Sequence, residues 1–279
     1  MTASPHPFLD AAVQADLYRD GARLAARTSA LHQAKTCGRP VADVIADLVI
    51  RFLPEPHRAV VADLGCGRGT SSRVLVERVR LRRLIAVDAS AAMLTVARSR
   101  LGARSPAAFV QADFHHLPLP DASCAAVVAA FCLYHAPAPR LVLREIARVL
   151  KPGGVTVLVT KSTDSYRTLD LLVAAARLDV HAAERVSLYA SAHSGNLAAL
   201  TAPILPLIHV EHEEHRFSFT GLDHVAAYLA TSPKYDLPAG LRGDAAALAA
   251  ALRARLPDTP VHTTSTITYL VAARPGSTR

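Results

Sequence analysis

The sequence predicts an α/β fold built on a mostly parallel sheet with helices on both faces. Three observations lead there. Between residues 59 and 160, short apolar runs alternate with longer amphipathic stretches. The apolar runs are near-continuous rather than polar at every second position, as in strands buried on both sides. The first run, AVVADL, ends in Asp63 and opens into a loop with Gly65, Gly67 and Gly69. A second run, LIAVD, ends in Asp88, 25 positions after Asp63.

Taken in order, residues 8–35 read as one helix, because Leu17, Gly21, Leu24, Thr28 and Leu31 recur at helical spacing. A second helix over 41–52 begins after Pro40, with Val41, Val44, Ile45, Leu48 and Val49 on its apolar face. The core then alternates: strand 59–64, helix 70–79, strand 83–88, helix 90–101, strands 107–111 and 124–131, helix 138–150, strand 154–160. Ser90 is placed to cap its helix, and Lys151-Pro152-Gly153-Gly154 to break the last one. Beyond 163 the pattern changes. Helical stretches at 164–178 and 194–201 precede a polar strand at 209–219. Thr220 is placed to cap a short helix over 222–231. An alanine-rich helix runs through 244–255, and VHTTSTITYLVAAR (261–274) reads as an edge or antiparallel strand.

An acid followed by a glycine loop, then a second acid ending the next strand, builds a nucleoside pocket at the carboxyl ends of parallel strands. Asp88 is placed to accept from two ribose hydroxyls. The dinucleotide fingerprint wants a glycine where Thr70 stands, so the G-x-G-x-G spacing argues against a dehydrogenase. The stretch resembles the class I S-adenosylmethionine-dependent methyltransferases. Five segments carry the resemblance in order over 59–160: Asp63 with Gly65, Cys66, Gly67 and Gly69; Asp88; QADFHHLPLPDAS; AAFCLYHAP; and REIARVLKPGGVTVLV. One departure is Ala125 in SCAAVV, where the family often has an acid. The resemblance implies a Rossmann-like sheet of seven strands, finished by an antiparallel strand. It implies S-adenosylmethionine as cofactor and S-adenosylhomocysteine as product. It also implies contacts to the cofactor from Asp63, Gly65, Cys66, Gly67, Asp88, Ala89, Met93 and Phe131, and from Asp113 and Phe114 beside the adenine. The domain reading is N-terminal helices to 52, a cofactor-binding core over 53–162, a substrate-covering insertion over 163–240, and a helix and strand over 241–279 that complete the sheet.

Composition narrows the partners. With 279 residues and 51 % apolar content, one α/β core with an insertion is affordable. No apolar run reaches the ~18 residues of a membrane span. The opening MTASPHPFLDAAVQ lacks a charged-then-apolar leader pattern. Four scattered cysteines suit a reduced protein, so the expectation is a cytoplasmic one. The net charge of +8 invites a nucleic-acid partner. Against it, the arginines are dispersed, there is no Trp, and the 7 Phe and 7 Tyr make few stacking platforms. The partner expected is therefore a small molecule, with no nucleic acid, no membrane and an open oligomeric state.

His135 is the candidate catalytic residue. It follows AFCLY at the lip beyond the 124–131 strand, where a neutral imidazole near pH 7 can take a proton from a phenol, amine or indole. The other reading is a histidine that positions the loop or cofactor. Tyr134 and His135 are the candidate substrate contacts. Arg27, a cation on an apolar helix face, is assigned to the amino-acid tail of the cofactor, with an acidic substrate or plain surface as alternatives. The run from His209 to His215 has no H-E-x-x-H spacing, so no metal is expected and a solvated edge strand is the reading. The activity expected is methylation of a small metabolite or natural-product intermediate of secondary metabolism, on O, N or C. An RNA or protein methyltransferase would want a basic groove or an N-P-P-Y motif, and AFCLYHAP supplies neither. A non-catalytic cofactor-binding module stays open.

Overall fold

The computed structural model describes residues 6–276 except Arg104. In chain order the elements begin with α1 (Ala11–Leu17), α2 (Ala22–Ala34), β1 (Lys35–Cys37) and α3 (Val41–Phe52). Next come β2 (Val60–Leu64), α4 (Thr70–Val79), β3 (Arg83–Asp88), α5 (Ala91–Leu101) and β4 (Ala107–Gln111). Then follow β5 (Cys124–Ala130), α6 (Pro139–Val149) and β6 (Leu150–Lys161). The chain continues through α7 (Arg167–Ala175), α8 (Leu197–Thr201), β7 (Leu207–Phe219), α9 (Leu222–Leu229), α10 (Ala245–Arg253) and β8 (Val261–Ala273).

These elements group into two compact units. A core unit takes 39–162, 191–212 and 267–279, and an accessory unit takes 1–38, 163–190 and 213–266. The boundary expected between 162 and 163 coincides with one of these, whereas those at 52 and 240 do not. Helix α3 packs on α4 inside the core unit, where Arg78 donates to Asp47 (2.7 Å). Residues 191–212 also belong to the core unit, and α10 belongs to the accessory unit.

In the core unit the strands lie in the order β4-β3-β2-β5-β6-β8-β7. β2 runs parallel to β3 and β5, and β5 runs parallel to β6. Only β8 enters against β6, from Val155↔Ala273 to Lys161↔Ile267. Near-continuous burial of β2 and β5 explains their unbroken apolar runs. Val61, Leu75, Leu84, Ala126, Val157 and Tyr269 share one apolar cluster under α3 and α4. Ser90 Oγ accepts from Met93 N (3.3 Å), so the expected cap is present.

Several expectations give way. The single helix over 8–35 is broken between Leu17 and Ala22: α2 starts anew from Gly21, whose φ is 74°, with Asp20 Oδ1 accepting from Ala22 N (2.9 Å). Its end becomes β1, an eighth strand, paired with β7 through Lys35↔Phe217. Lys151–Gly154 does not separate helix from strand but lies inside β6, where the pairing slips between Cys124↔Leu150 and Ala126↔Val155. Thr220 does not cap α9; the Asp258 carboxylate accepts from Leu222 N instead (2.7 Å). β8 is antiparallel as expected, yet it lies between β6 and β7 rather than at an edge. His215 is 3 % exposed and not solvated: Gly38 leaves room for its ring, since a Cβ there would stand 2.4 Å from Cδ2. Among the described residues no group of three His, Cys, Asp or Glu is placed to hold a metal ion. Among them too, no helix is long and apolar enough to cross a membrane.

The accessory unit has its own core, made by Ala30, Tyr166, Leu169, Phe217, Phe219, Val225, Tyr228 and Leu248 among others. Inside it, Asp170 accepts from Lys234 Nζ (2.6 Å) and Tyr235 Oη (2.8 Å). A cavity of about 10 Å³ beside this pair is lined by Ser165, Tyr166, Asp170, Tyr228, Lys234 and Tyr235, space for about one water.

Candidate active site

The site is built where β2 and β3 end. Leaving β2, the chain turns through Gly65, Gly67 and Gly69, with φ of 59°, 52° and 74°. Left-handed backbone at three alternate positions is what the glycines permit. Two of them also answer a packing need inside the protein. A Cβ at Gly65 would stand 2.5 Å from Cys132 Cβ, and one at Gly69 would stand 2.9 Å from Leu101 Cδ1 and 3.0 Å from Ala97 Cβ. The resemblance implies cofactor contacts from Gly65 and Gly67. The structure gives Gly65 and Gly69 to the seating of the loop against the β5 terminus and α5. Gly65→Ala is therefore expected to lower unfolding stability by about 1–3 kcal/mol, from overpacking added to a left-handed φ. An unchanged denaturation midpoint would show that the loop is not seated there.

Gly67 is the member of the loop that reaches the second acid. Its N–H donates to Asp88 Oδ2 (2.8 Å), and Ser90 N donates to Asp88 Oδ1 (2.9 Å). Cys66 N donates to Val87 O (3.0 Å), which ties the loop to the end of β3. Each Asp88 oxygen keeps a further lone pair, so the carboxylate is fixed in place and still able to accept from a vicinal diol. Ala89 follows, its carbonyl accepting from Gln111 Nε2 (3.1 Å), and Met93 is buried on the first turn of α5.

Asp63 lies deeper, 2 % exposed, its Oδ2 accepting from Ser72 Oγ (2.5 Å). Burial pushes its pKa up to about 7, and repulsion from Asp88 adds to the rise, against the Ser72 hydrogen bond. The folded state therefore holds a proton between about pH 4 and 7 that the unfolded chain, near 3.8, has released. This carboxyl's contribution to stability is lost as pH rises through that window. Asp63→Asn is expected to flatten that slope in urea titrations run at several pH values; a slope equal to that of the wild type contradicts the assignment. Burial first, then the negative field of Asp63 and Asp88, raises the thiols of Cys66 and Cys132 far above the ordinary range. Both are therefore held as neutral thiols near neutral pH.

Asp113 and Phe114 follow β4. Partial burial raises the Asp113 carboxyl, but the backbone N–H and ring of His115 outweigh this and hold it below its ordinary value. Asp113 Oδ1 lies 2.9 Å from His115 N and 2.7 Å from Nδ1, and the Phe114 and His115 rings are 5.0 Å apart. At the end of β5, Phe131 has a φ of 56°, a strained value for a side chain of its size, and the Lys161 ammonium lies 5.2 Å from its ring. A single 3-10 turn, Leu133–His135, then presents Tyr134 and His135, with rings 4.8 Å apart.

The core unit thus holds Asp63 and Asp88 in the last residues of β2 and β3, Gly65, Cys66, Gly67, Ala89, Asp113, Phe114, Phe131, Tyr134 and His135 on the turns after β2, β3, β4 and β5, and Met93 on the first turn of α5. Arg27 is not among them: it sits on α2 in the accessory unit, its guanidinium 5.9 Å from the Phe8 ring and 5.6 Å from the Tyr228 ring. Sequence reasoning missed Lys161 and the 191–196 loop, whose contacts to the strand ends span 32 and 57 positions of chain.

Residues 62–158 match the family model described as a methyltransferase domain. Over 122 residues the chain is 36 % identical to the malonyl-(acyl-carrier protein) O-methyltransferase of Marinomonas sp. (strain MWYL1), covering 44 % of this chain and 45 % of that one. Over 103 residues it is 42 % identical to the demethylmenaquinone methyltransferase of Clavibacter sepedonicus, covering 37 % and 41 %. The matched part is less than half the length of these relatives. The YcgJ protein of Bacillus subtilis shares the fold with a TM-score of 0.56 at 17 % identity, over 84 % of this chain and 100 % of that one. The (4+2)-cyclase SpnF does so with 0.54 at 20 %, over 84 % and 82 %. The chain carries a class I S-adenosylmethionine-dependent methyltransferase domain.

Proposed function

Starting from that domain, we propose that the chain transfers a methyl group from S-adenosylmethionine to a small-molecule metabolite or natural-product intermediate, leaving S-adenosylhomocysteine. The observation that carries the reading is Asp88, anchored by Gly67 N and Ser90 N at the end of β3 with lone pairs to spare for a ribose diol. Asp113 supplies an exposed acceptor for an amino group of the base. Asp63 supplies a buried carboxyl whose proton a nearby cation displaces. The cofactor brings an electrophilic methyl on a sulfonium. What the protein adds is position and exclusion of water, worth roughly 7–11 kcal/mol when reacting atoms are held about 3 Å apart. Tyr134 and His135 stand at the carboxyl end of β5, the side on which open α/β sheets take ligands. His135 is assigned to the acceptor's proton, and where the acceptor is already ionised, to its orientation. Arg27 is assigned to a carboxylate, of the cofactor tail or of an acidic acceptor.

The four cysteines are all free, which supports a reducing, cytoplasmic setting. Dispersed arginines support a small acceptor over nucleic acid, and Arg78 is taken up by Asp43 and Asp47. The test is acceptor-dependent release of S-adenosylhomocysteine against a panel of small carboxylic acids, phenols and quinols. Turnover with one class is the expected result. Tight cofactor binding with no turnover on any class favours a binding module instead.

His135→Gln separates the two roles of that residue. As a base its loss costs roughly 10²–10⁴-fold in kcat with cofactor affinity unchanged. Near-wild-type kcat would assign His135 to orientation alone.

A further inference from the structure

The 191–196 loop is fastened to the strand ends that carry Tyr134, His135 and Lys161. Ser191 Oγ donates to Tyr134 O (2.9 Å), Thr160 Oγ1 donates to Ala192 O (2.6 Å), and Ser194 N donates to Lys161 O (3.0 Å). The loop is also closed on itself. Asn196 Oδ1 accepts from His193 N (2.7 Å), Asn196 Nδ2 donates to Ser191 O (3.3 Å), and Leu197 N donates to His193 O (2.9 Å). A segment held at six points does not need ordering when a ligand arrives.

His193 is the side chain this loop presents. Its Nδ1 accepts from Gly195 N (3.1 Å). Gly195 has no side chain to keep the ring away: a Cβ there would stand 3.1 Å from His193 Cε1. An Nδ1 that accepts has its lone pair engaged, so the neutral ring carries its proton on Nε2. Burial lowers the pKa of the ring and keeps it in this neutral form. Nε2 is then a donor and not a base, and it bonds to none of the described residues. Beside it, Ser194 Oγ is buried without a partner among the described residues. Lys161, whose carbonyl accepts from Ser194 N, has its ammonium 5.2 Å from the Phe131 ring.

We infer that His193 donates a hydrogen bond from Nε2 to an anionic oxygen of the methyl acceptor, a carboxylate or phenolate, and so selects an acidic substrate. The inference rests on the proposed methyl transfer and adds the chemical class of the acceptor. A ring that only donates at its free nitrogen favours negative oxygen and disfavours an amine. The role is separate from that proposed for His135, which orients an acceptor already ionised at the attacking oxygen, or takes the proton of a second, neutral nucleophile on it.

The test uses the full chain and the best acceptor from a panel of benzoate, 4-hydroxybenzoate and other small carboxylic acids, each beside its primary amide. His193→Asn keeps an amide oxygen at the place of Nδ1 for Gly195 N and removes the donor at Nε2. His193→Gln carries a donor out to the reach of Nε2. The expected result is a fall in kcat/KM of about 10- to 150-fold for His193→Asn, the scale of a hydrogen bond to a charged group. His193→Gln recovers most of it, and calorimetric affinity for S-adenosylhomocysteine stays within about 2-fold in both, since the cofactor's hydrogen bonds are untouched. The wild type prefers each acid over its amide, and His193→Asn loses that preference. Wild-type turnover in His193→Asn overturns the inference and leaves His193 a loop-holding residue, while the methyl transfer stands. A parallel loss of cofactor affinity in both variants overturns it too. Absence of turnover by the wild type on any acceptor overturns the functional reading and this inference with it.

Discussion

Asp88→Ala is expected to weaken binding of S-adenosylmethionine about 10- to 150-fold, the effect of losing charge-assisted hydrogen bonds worth roughly 1.5–3 kcal/mol. The carboxylate is the one side chain at the end of β3 with both oxygens anchored from its own backbone, by Gly67 N at 2.8 Å and Ser90 N at 2.9 Å. The substitution removes an acceptor for the ribose and frees two backbone donors, so the glycine loop loosens as well. Affinity for S-adenosylhomocysteine is expected to fall in parallel, because the ribose is common to both. Asp88→Asn keeps one acceptor oxygen and is expected to fall between. Calorimetry giving unchanged affinity for Asp88→Ala contradicts the placement of the nucleoside.

Asp170→Ala is expected to cost about 3–5 kcal/mol of stability, the scale for stranding one member of a buried ion pair. Asp170 is 5 % and Lys234 10 % exposed at the side chain, and the same carboxylate also accepts from Tyr235 Oη at 2.8 Å. Removing the acid leaves an ammonium and a phenol without their acceptor inside the accessory unit. The double variant Asp170→Leu with Lys234→Met is expected to recover most of the loss, because neither charge then remains to be solvated. Tyrosine fluorescence is a suitable readout for urea titrations: the chain has no Trp, and Tyr18, Tyr166, Tyr189, Tyr228 and Tyr235 lie in the accessory unit. A loss below about 1 kcal/mol, the range of solvated pairs, contradicts the reading of this pair as buried.

The core was legible because its signals are local. A parallel strand buried on both faces must be apolar throughout, so β2, β3 and β5 read directly from Val60–Leu64, Arg83–Asp88 and Cys124–Ala130. The acid-then-glycine turn is local as well, and Asp63, Gly67 and Asp88 were placed correctly at strand ends by it. What stayed hidden depends on partners far along the chain. β1 is three residues long and is a strand only because β7 pairs with it at Phe217 and Arg216. Gly65 looked like a ligand-facing glycine, and only Cys132 on the turn after β5 reveals its packing role. His215 looked solvated in a run of polar residues until Gly38 left room over its ring. His193 carried no motif at all; its tautomer is set by Gly195 and its position by Ser191, Thr160 and Ser194, none of which a period in the sequence reports.

The central claim is that Asp88 and the turn through Gly67 hold the nucleoside of S-adenosylmethionine. A crystal structure of the full chain with S-adenosylhomocysteine tests it most directly. The account predicts both ribose hydroxyls within hydrogen-bond reach of the Asp88 oxygens, with the sulfur directed toward Tyr134 and His135. A nucleoside bound elsewhere, or an Asp88 carboxylate out of reach of the ribose, would contradict it.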